Sequence, residues 1–211
     1  TLARELMARA LLRRRRFTYC HETRDEAKRL IWRGDTRDGW RDLVEDFGLS
    51  IAHSRAEFEK PSGADCLVNE SDLTIEFRNG SQLSVFCADR AADADKLRGG
   101  EKDGIVVDEA QKFRDLQYFV EQVAEPLLAK PHGQPGGFLW LAGTPSQNLA
   151  GLFFEVTRET DQGERKPGWD VHKFAVTDNP YFGATAEERG TATAGAELER
   201  KKHLNTLEGE I

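Results

Sequence analysis

The sequence predicts an α/β fold, a three-layer sandwich whose central sheet is mostly parallel and carries an antiparallel hairpin at one side. Three observations lead there. Gly104-Ile105-Val106-Val107 and Phe138-Leu139-Trp140-Leu141-Ala142 are short, wholly apolar runs ended by polar or turn residues, as in strands buried on both faces. Amphipathic helical segments separate the apolar runs, which is the alternation a parallel sheet requires. Around Asn79-Gly80 the period changes to two, so a hairpin is expected beside the parallel strands.

Taken in order, Leu2, Leu6, Ala10 and Leu11 repeat at helical spacing, so the chain opens inside an amphipathic helix. Arg13-Arg14-Arg15-Arg16 follows. Cations are favourable at a helix C-terminus, and a solvated turn explains the run more simply than a DNA contact. Arg16-Phe17-Thr18-Tyr19-Cys20 reads as a strand, and Thr23 with Glu26 as the N-cap and third position of a helix buried through Ala27, Leu30, Ile31 and Trp32. A helix over 40–47 ends at Gly48. Leu73 to Arg78 and Gln82 to Phe86 form the hairpin arms, with Asn79 and Gly80 both suited to positive φ. Leu97-Arg98-Gly99-Gly100 is a loop before the acidic strand. A helix over 115–128 turns Leu116, Phe119, Val120, Val123 and Leu127 inward, and Pro126 kinks its last turn. Beyond Gly143-Thr144-Pro145, a helix starts at Asn148 and one more strand covers 171–176. The charged stretch 187–207 is helical in part.

Composition narrows the classes. The 211 residues suffice for one α/β domain, and no apolar run approaches the roughly 20 residues that cross a bilayer, so no membrane partner is expected. Three widely spaced cysteines indicate free thiols, and five scattered histidines lack zinc spacing. A formal charge of −7 repels phosphate overall, so DNA contact requires a local basic patch. The opening residues lack a Met and read as helix already, which points to a fragment whose natural start lies upstream.

The chemistry sits on Asp108-Glu109. In a nucleotide-hydrolysing domain the first acid holds Mg²⁺, directly or through water, and the second orients or deprotonates the attacking water. The plainer alternative is a helix cap followed by a solvated acid. If the two apolar strands lie side by side, Gly143-Thr144-Pro145 brings a hydroxyl to the same rim. Arg98, ten residues before Asp108, is either a cation for a γ-phosphate or an ordinary loop charge paired with Asp103 or Glu101.

Leu97-Arg98-Gly99, Gly104-Ile105-Val106-Val107-Asp108-Glu109-Ala110-Gln111, Leu141-Ala142-Gly143-Thr144-Pro145 and Thr177-Asp178-Asn179-Pro180-Tyr181 occur in the order seen in the ATPase domain of the large terminase subunit of tailed bacteriophages, and the chain resembles that family from Leu2 to about Tyr181. Asn69 to Ile75, with Asn79-Gly80-Ser81, is similar to the family's hairpin. The resemblance implies a P-loop NTPase-like fold and an ATP-hydrolysing motor that packages double-stranded viral DNA. It also implies ATP and Mg²⁺ as cofactors, a homo-oligomeric ring on the procapsid, the portal protein and small terminase subunit as partners, and the host cytoplasm as location. By position, Asp108 is implied as the Mg²⁺ ligand, Glu109 as the activator of water, Arg98 as the Arg that acts on a neighbouring subunit's nucleotide, and Thr144 as the sensor of γ-phosphate loss.

Two departures stand out. The phosphate loop G-x-x-x-x-G-K-[ST] does not occur in these residues, and Thr1 is either its Mg²⁺-binding hydroxyl or the residue after it. The nuclease domain that normally follows is missing as well. The expected organisation is an ATPase domain over 1–185 and a partly helical segment over 186–211. A helicase-like DNA translocase and a non-hydrolysing α/β interaction module are the alternatives.

Overall fold

A computed structural model describes residues 2–34, 39–87, 95–97, 100–130, 136–144, 150–158 and 167–173. The chain divides into two units, Thr1–Glu164 and Arg165–Ile211. The expected boundary at 185 lies outside the described residues.

Ala3, Leu6, Met7 and Ala10 recur at the spacing that puts them on one helical face, and all four are buried in α1, Leu2–Leu12. Glu5 and Arg9, one turn apart on the outside, pair at 2.6 Å. The chain then enters β1, Arg16–His21. Thr23 caps α2, Arg24–Ala27, by accepting the Glu26 N–H, and its hydroxyl donates to the Glu26 carboxylate at 2.9 Å. The helix continues as π-helix over Lys28–Arg33, burying Ile31 and Trp32, and Gly34 ends it at φ 72°. Helix α3, Trp40–Asp46, buries Trp40, Leu43 and Val44 and is closed by Gly48 at φ 66°.

Seven strands form one sheet in the order β2-β3-β4-β5-β1-β6-β7. Three of them are β2, Ile51–Ala52, β3, Cys66–Asn69, and β4, Thr74–Phe77, with the short α4, Arg55–Phe58, after β2. The others are β5, Gln82–Cys87, β6, Gly104–Val107, and β7, Phe138–Leu141, beside β1. The pairs β3–β4 and β4–β5 are antiparallel; β2–β3, β5–β1, β1–β6 and β6–β7 are parallel. The expected mixed α/β class is therefore what forms.

Alternation along the strands builds the layers. Phe17, Tyr19, Leu83 and Val106 face α1, α3 and Trp32 in one core, while Thr18, Cys20, Ile105 and Val107 are buried toward the opposite face. The helix on that side, α5, is α over Leu116–Tyr118, π over Phe119–Ala124 and α again over Glu125–Leu128. Helix α6, Leu152–Thr157, packs against the start of α5.

Five local expectations need correction. Of the two expected turn residues only Gly80 has positive φ, at 83°: the Phe77 carbonyl accepts the Gly80 N–H, giving a three-residue turn with glycine last in place of a two-residue one. In α5 it is Leu128, not Leu127, that is buried, because the wider π turns shift the helical phase ahead of Pro126. Strand β7 is the edge strand among the described residues, and with Trp140 42% exposed it is not buried on both faces. The last helix among the described residues begins at Leu152, and Gly151 at φ 88° interrupts the helix expected to run through it; the expected start, Asn148, lies outside the described residues. Of the strand expected over 171–176, the described part, Val171 to Lys173, joins no ladder among the described residues; 187–207 lies outside them.

Candidate functional site

Strand β6 lies between β1 and β7, with Val107 opposite both Cys20 and Leu141, so all three strands finish at one rim. The rim is pinned by backbone bonds. The Asp108 N–H donates to the Cys20 carbonyl at 2.9 Å, Ala142 N–H to Val107 at 2.8 Å, and Ala110 N–H back to Ala142 at 2.9 Å. The tips of the two apolar strands are thus adjacent and parallel, as the reading of Asp108 with Thr144 required.

The half-buried Asp108 carboxylate is held from two sides. Its Oδ2 accepts the Tyr19 hydroxyl at 2.6 Å and its Oδ1 accepts the Glu109 N–H at 2.9 Å. Burial, and then the hydrogen bond and charge of Asp108, push the Tyr19 hydroxyl far above its ordinary range, so it remains a donor at any physiological pH. Each carboxylate oxygen keeps a second lone pair. That donor set suits Mg²⁺, which takes one or two carboxylates and completes its shell with waters and phosphate. Among the described residues no group of three or more His, Cys, Asp or Glu gathers as a metal cage.

Glu109 adopts a left-handed conformation, φ 52° and ψ 41°, which costs a non-glycine residue roughly 1 kcal/mol or more. It thereby leaves the strand direction and starts the 3-10 turn Ala110–Lys112. Its carboxylate accepts the Gln111 side-chain amide at 2.5 Å and lies 3.5 Å from the Lys112 ammonium. On the far side of Gln111, its carbonyl oxygen is buried without a hydrogen-bond partner and faces Gly143. A Cβ at residue 143 would sit 2.0 Å from that oxygen, so the glycine is what lets Gln111 lie between the β7 tip and Glu109.

Thr144 is exposed one residue beyond Gly143. Thr1 and Arg98 lie outside the described residues. Sequence reasoning missed Tyr19 and Gln111 as members of this site. The first was legible only as a strand residue and the second only as a letter beside the two acids; strand alternation could have put Tyr19 on a face, but not against Asp108.

At the neighbouring β5 tip, Cys87 stands opposite His21. Burial, outweighing the nearby Arg24, pushes its thiol from 9.0 up to about 11. At pH 8 its thiolate fraction should be about 100-fold below that of an ordinary cysteine, and iodoacetamide alkylation slower to match. Alkylation of Cys87, read by mass spectrometry at the rate of a free thiol, would remove this shielded-rim description.

No protein-family model and no curated protein matches the chain. Among solved structures it is similar to large terminases. The large terminase of a thermophilic bacteriophage aligns at TM-score 0.40 and 16% identity over 63% of this chain and 27% of that one. The same protein in complex with ADP gives 0.39 and 17% over the same shares. The large terminase ATPase domain of Thermus phage P74-26 gives 0.42 and 20% over 69% of this chain and 52% of that domain. The chain thus spans about a quarter to a half of the structures it matches.

Proposed function

We propose that this chain is part of an ATP-hydrolysing motor of the large-terminase kind, which drives double-stranded viral DNA into procapsids. The observation that carries the proposal is the shared rim: Asp108 and Glu109 leave β6 beside the β7 tip that leads into Gly143 and Thr144. The motif order along the sequence, with Asp108-Glu109 ahead of Gly143-Thr144-Pro145, supports the same reading.

In this mechanism Asp108, whose oxygens keep lone pairs beside the Tyr19 hydroxyl and the Glu109 N–H, would hold Mg²⁺, and the ion would supply charge neutralisation for the phosphates. Tyr19 fixes the carboxylate plane. Glu109 orients and deprotonates the attacking water after exchanging its contact with Gln111 for that water. Thr144, at the β7 tip, senses loss of the γ-phosphate, and Arg98 serves the nucleotide of a neighbouring copy in a ring on the procapsid. Thr1 is assigned to Mg²⁺ and nucleotide as the phosphate-loop hydroxyl or the residue after it. Portal protein and small terminase subunit are the other partners, in the host cytoplasm. The ATPase domain is assigned to 1–185, followed by a segment over 186–211.

The test is ATP turnover by the longest natural form, titrated with Mg²⁺. Turnover should require Mg²⁺, and Tyr19→Phe should raise the half-saturating concentration roughly 5- to 10-fold, equivalent to a hydrogen bond of about 1 kcal/mol, with a smaller effect on the maximal rate. A long form that binds partners but never hydrolyses ATP leaves the interaction module as the surviving reading.

A further inference from the structure

The opposite rim of the sheet has a character of its own. Phe17, Gly104 and Phe138 stand side by side at the N-terminal ends of β1, β6 and β7, about 13 Å along the strand from Asp108 at ~3.3 Å per residue. A cavity of about 390 Å³ opens there, floored by Phe17 and Phe138, whose rings lie 5.7 Å apart, and walled by Arg9, Arg13 and Arg15. The acid in its wall, Asp103, is already committed. It accepts the Arg16 N–H at 2.8 Å and the Arg15 guanidinium at 3.0 Å, and the Lys130 ammonium lies 3.4 Å away. Burial raises its carboxyl, but those three donors outweigh it and hold the group below its usual range, so it stays ionised.

What remains is positive charge without acids to match. Arg9 has Glu5 at 2.6 Å, yet among the described residues no carboxylate forms an ion pair with Arg13, Arg14, Arg16 or Lys102. Arg13 and Arg14 are exposed where a phosphate could reach them, while Lys102, only 8% exposed and with Arg16 for a charged neighbour, adds to the positive potential from beneath the surface. In a chain of net charge −7 this is a local reversal of sign.

We propose that this rim is a phosphate-binding surface that takes the backbone phosphates of double-stranded DNA. The choice of DNA as the polyanion rests on the motor reading; the phosphate chemistry rests on the rim. A cradle for one free phosphate needs converging backbone N–H groups. Here the Arg15 N–H is spent on Ser81 and the Arg16 N–H on Asp103. The guanidinium groups instead come from consecutive residues of an irregular and then extended segment, where alternate side chains lie about 6.6 Å apart on one face. Spaced cations of that kind contact a chain of phosphates by charge, without reading bases.

The experiment is fluorescence anisotropy of the 211-residue chain with a labelled 20-base-pair duplex at several salt concentrations, beside R13E/R14E and a control, R114E/R158E, of equal charge change. R13E/R14E should weaken binding at least 10-fold and lower the slope of log affinity against log salt by about 1.8, the value for two phosphate contacts. The control should change affinity less than 2-fold. Equal losses in both pairs, no duplex binding by the parent chain, or displacement of the duplex by micromolar pyrophosphate at fixed ionic strength would each overturn the assignment. ATP turnover of the longest form, measured in parallel, separates the two ideas: R13E/R14E lies on the other rim and should leave basal turnover unchanged. Rim-dependent duplex binding without any turnover would sink the motor reading alone.

Discussion

Glu109→Gln, made in the longest form of the protein that turns over ATP, is expected to slow hydrolysis by about 10²- to 10⁴-fold, the usual contribution of a positioned general base. The substitution keeps the shape of the side chain and removes only its ability to take a proton. A Gln at that place still offers a carbonyl oxygen to the Gln111 amide, now 2.5 Å from the carboxylate, so the turn Ala110–Lys112 should keep its geometry. Nucleotide affinity should therefore stay within about 2-fold, since Asp108 and its two donors are untouched. Single-turnover hydrolysis and equilibrium binding of a fluorescent nucleotide, measured on the same preparation, check both halves. A variant that hydrolyses ATP at the parent rate takes the catalytic role away from Glu109.

The largest effect on stability is expected from Trp32→Ala, at about 3–5 kcal/mol. Trp32 is fully buried between α1, α3 and the sheet, and its indole N–H donates to Glu70 at 2.8 Å. The truncation leaves a large cavity in a close-packed core and removes that donor from a carboxylate that keeps Arg41, at 3.3 Å. For a chain of this size the loss corresponds to roughly 10 °C or more in Tm. Thermal unfolding followed by circular dichroism would show it; a shift of only 1–2 °C would mean that the core around Trp32 is far looser than the packing described.

The central strands and the first three helices could be read directly because burial on both faces, or on one helical face, leaves its mark residue by residue. Ile105, Val106 and Val107 have no polar neighbour to interrupt them, and Ala3, Leu6, Met7 and Ala10 keep a helical interval. The strands Ile51–Ala52 and Cys66–Asn69 left no such mark. They are too short for a period to develop, and pairing through contacts such as the Cys66 N–H to the Ser50 carbonyl defines them. Apolarity also misplaced Phe138–Leu141: composition reports what a strand could bury, whereas its position at the edge of the sheet depends on which neighbours it finds. At the site, Asp108 and Glu109 were legible because acids stand out at the end of an apolar run. Tyr19 comes from a strand nearly ninety residues earlier, and only the parallel register of β1 with β6 brings it to Asp108.

Gln111 has a mechanical consequence. Its amide lies between Gly143, where there is no room for a side chain, and the carboxylate of Glu109, so a sideways movement of the β7 tip toward it would be passed to that acid. The linkage runs both ways. Under the proposed motor mechanism, a displacement at Gly143 and Thr144 would shift the acid that meets the water, and a change at the reacting phosphate would be felt at the β7 tip through one side chain.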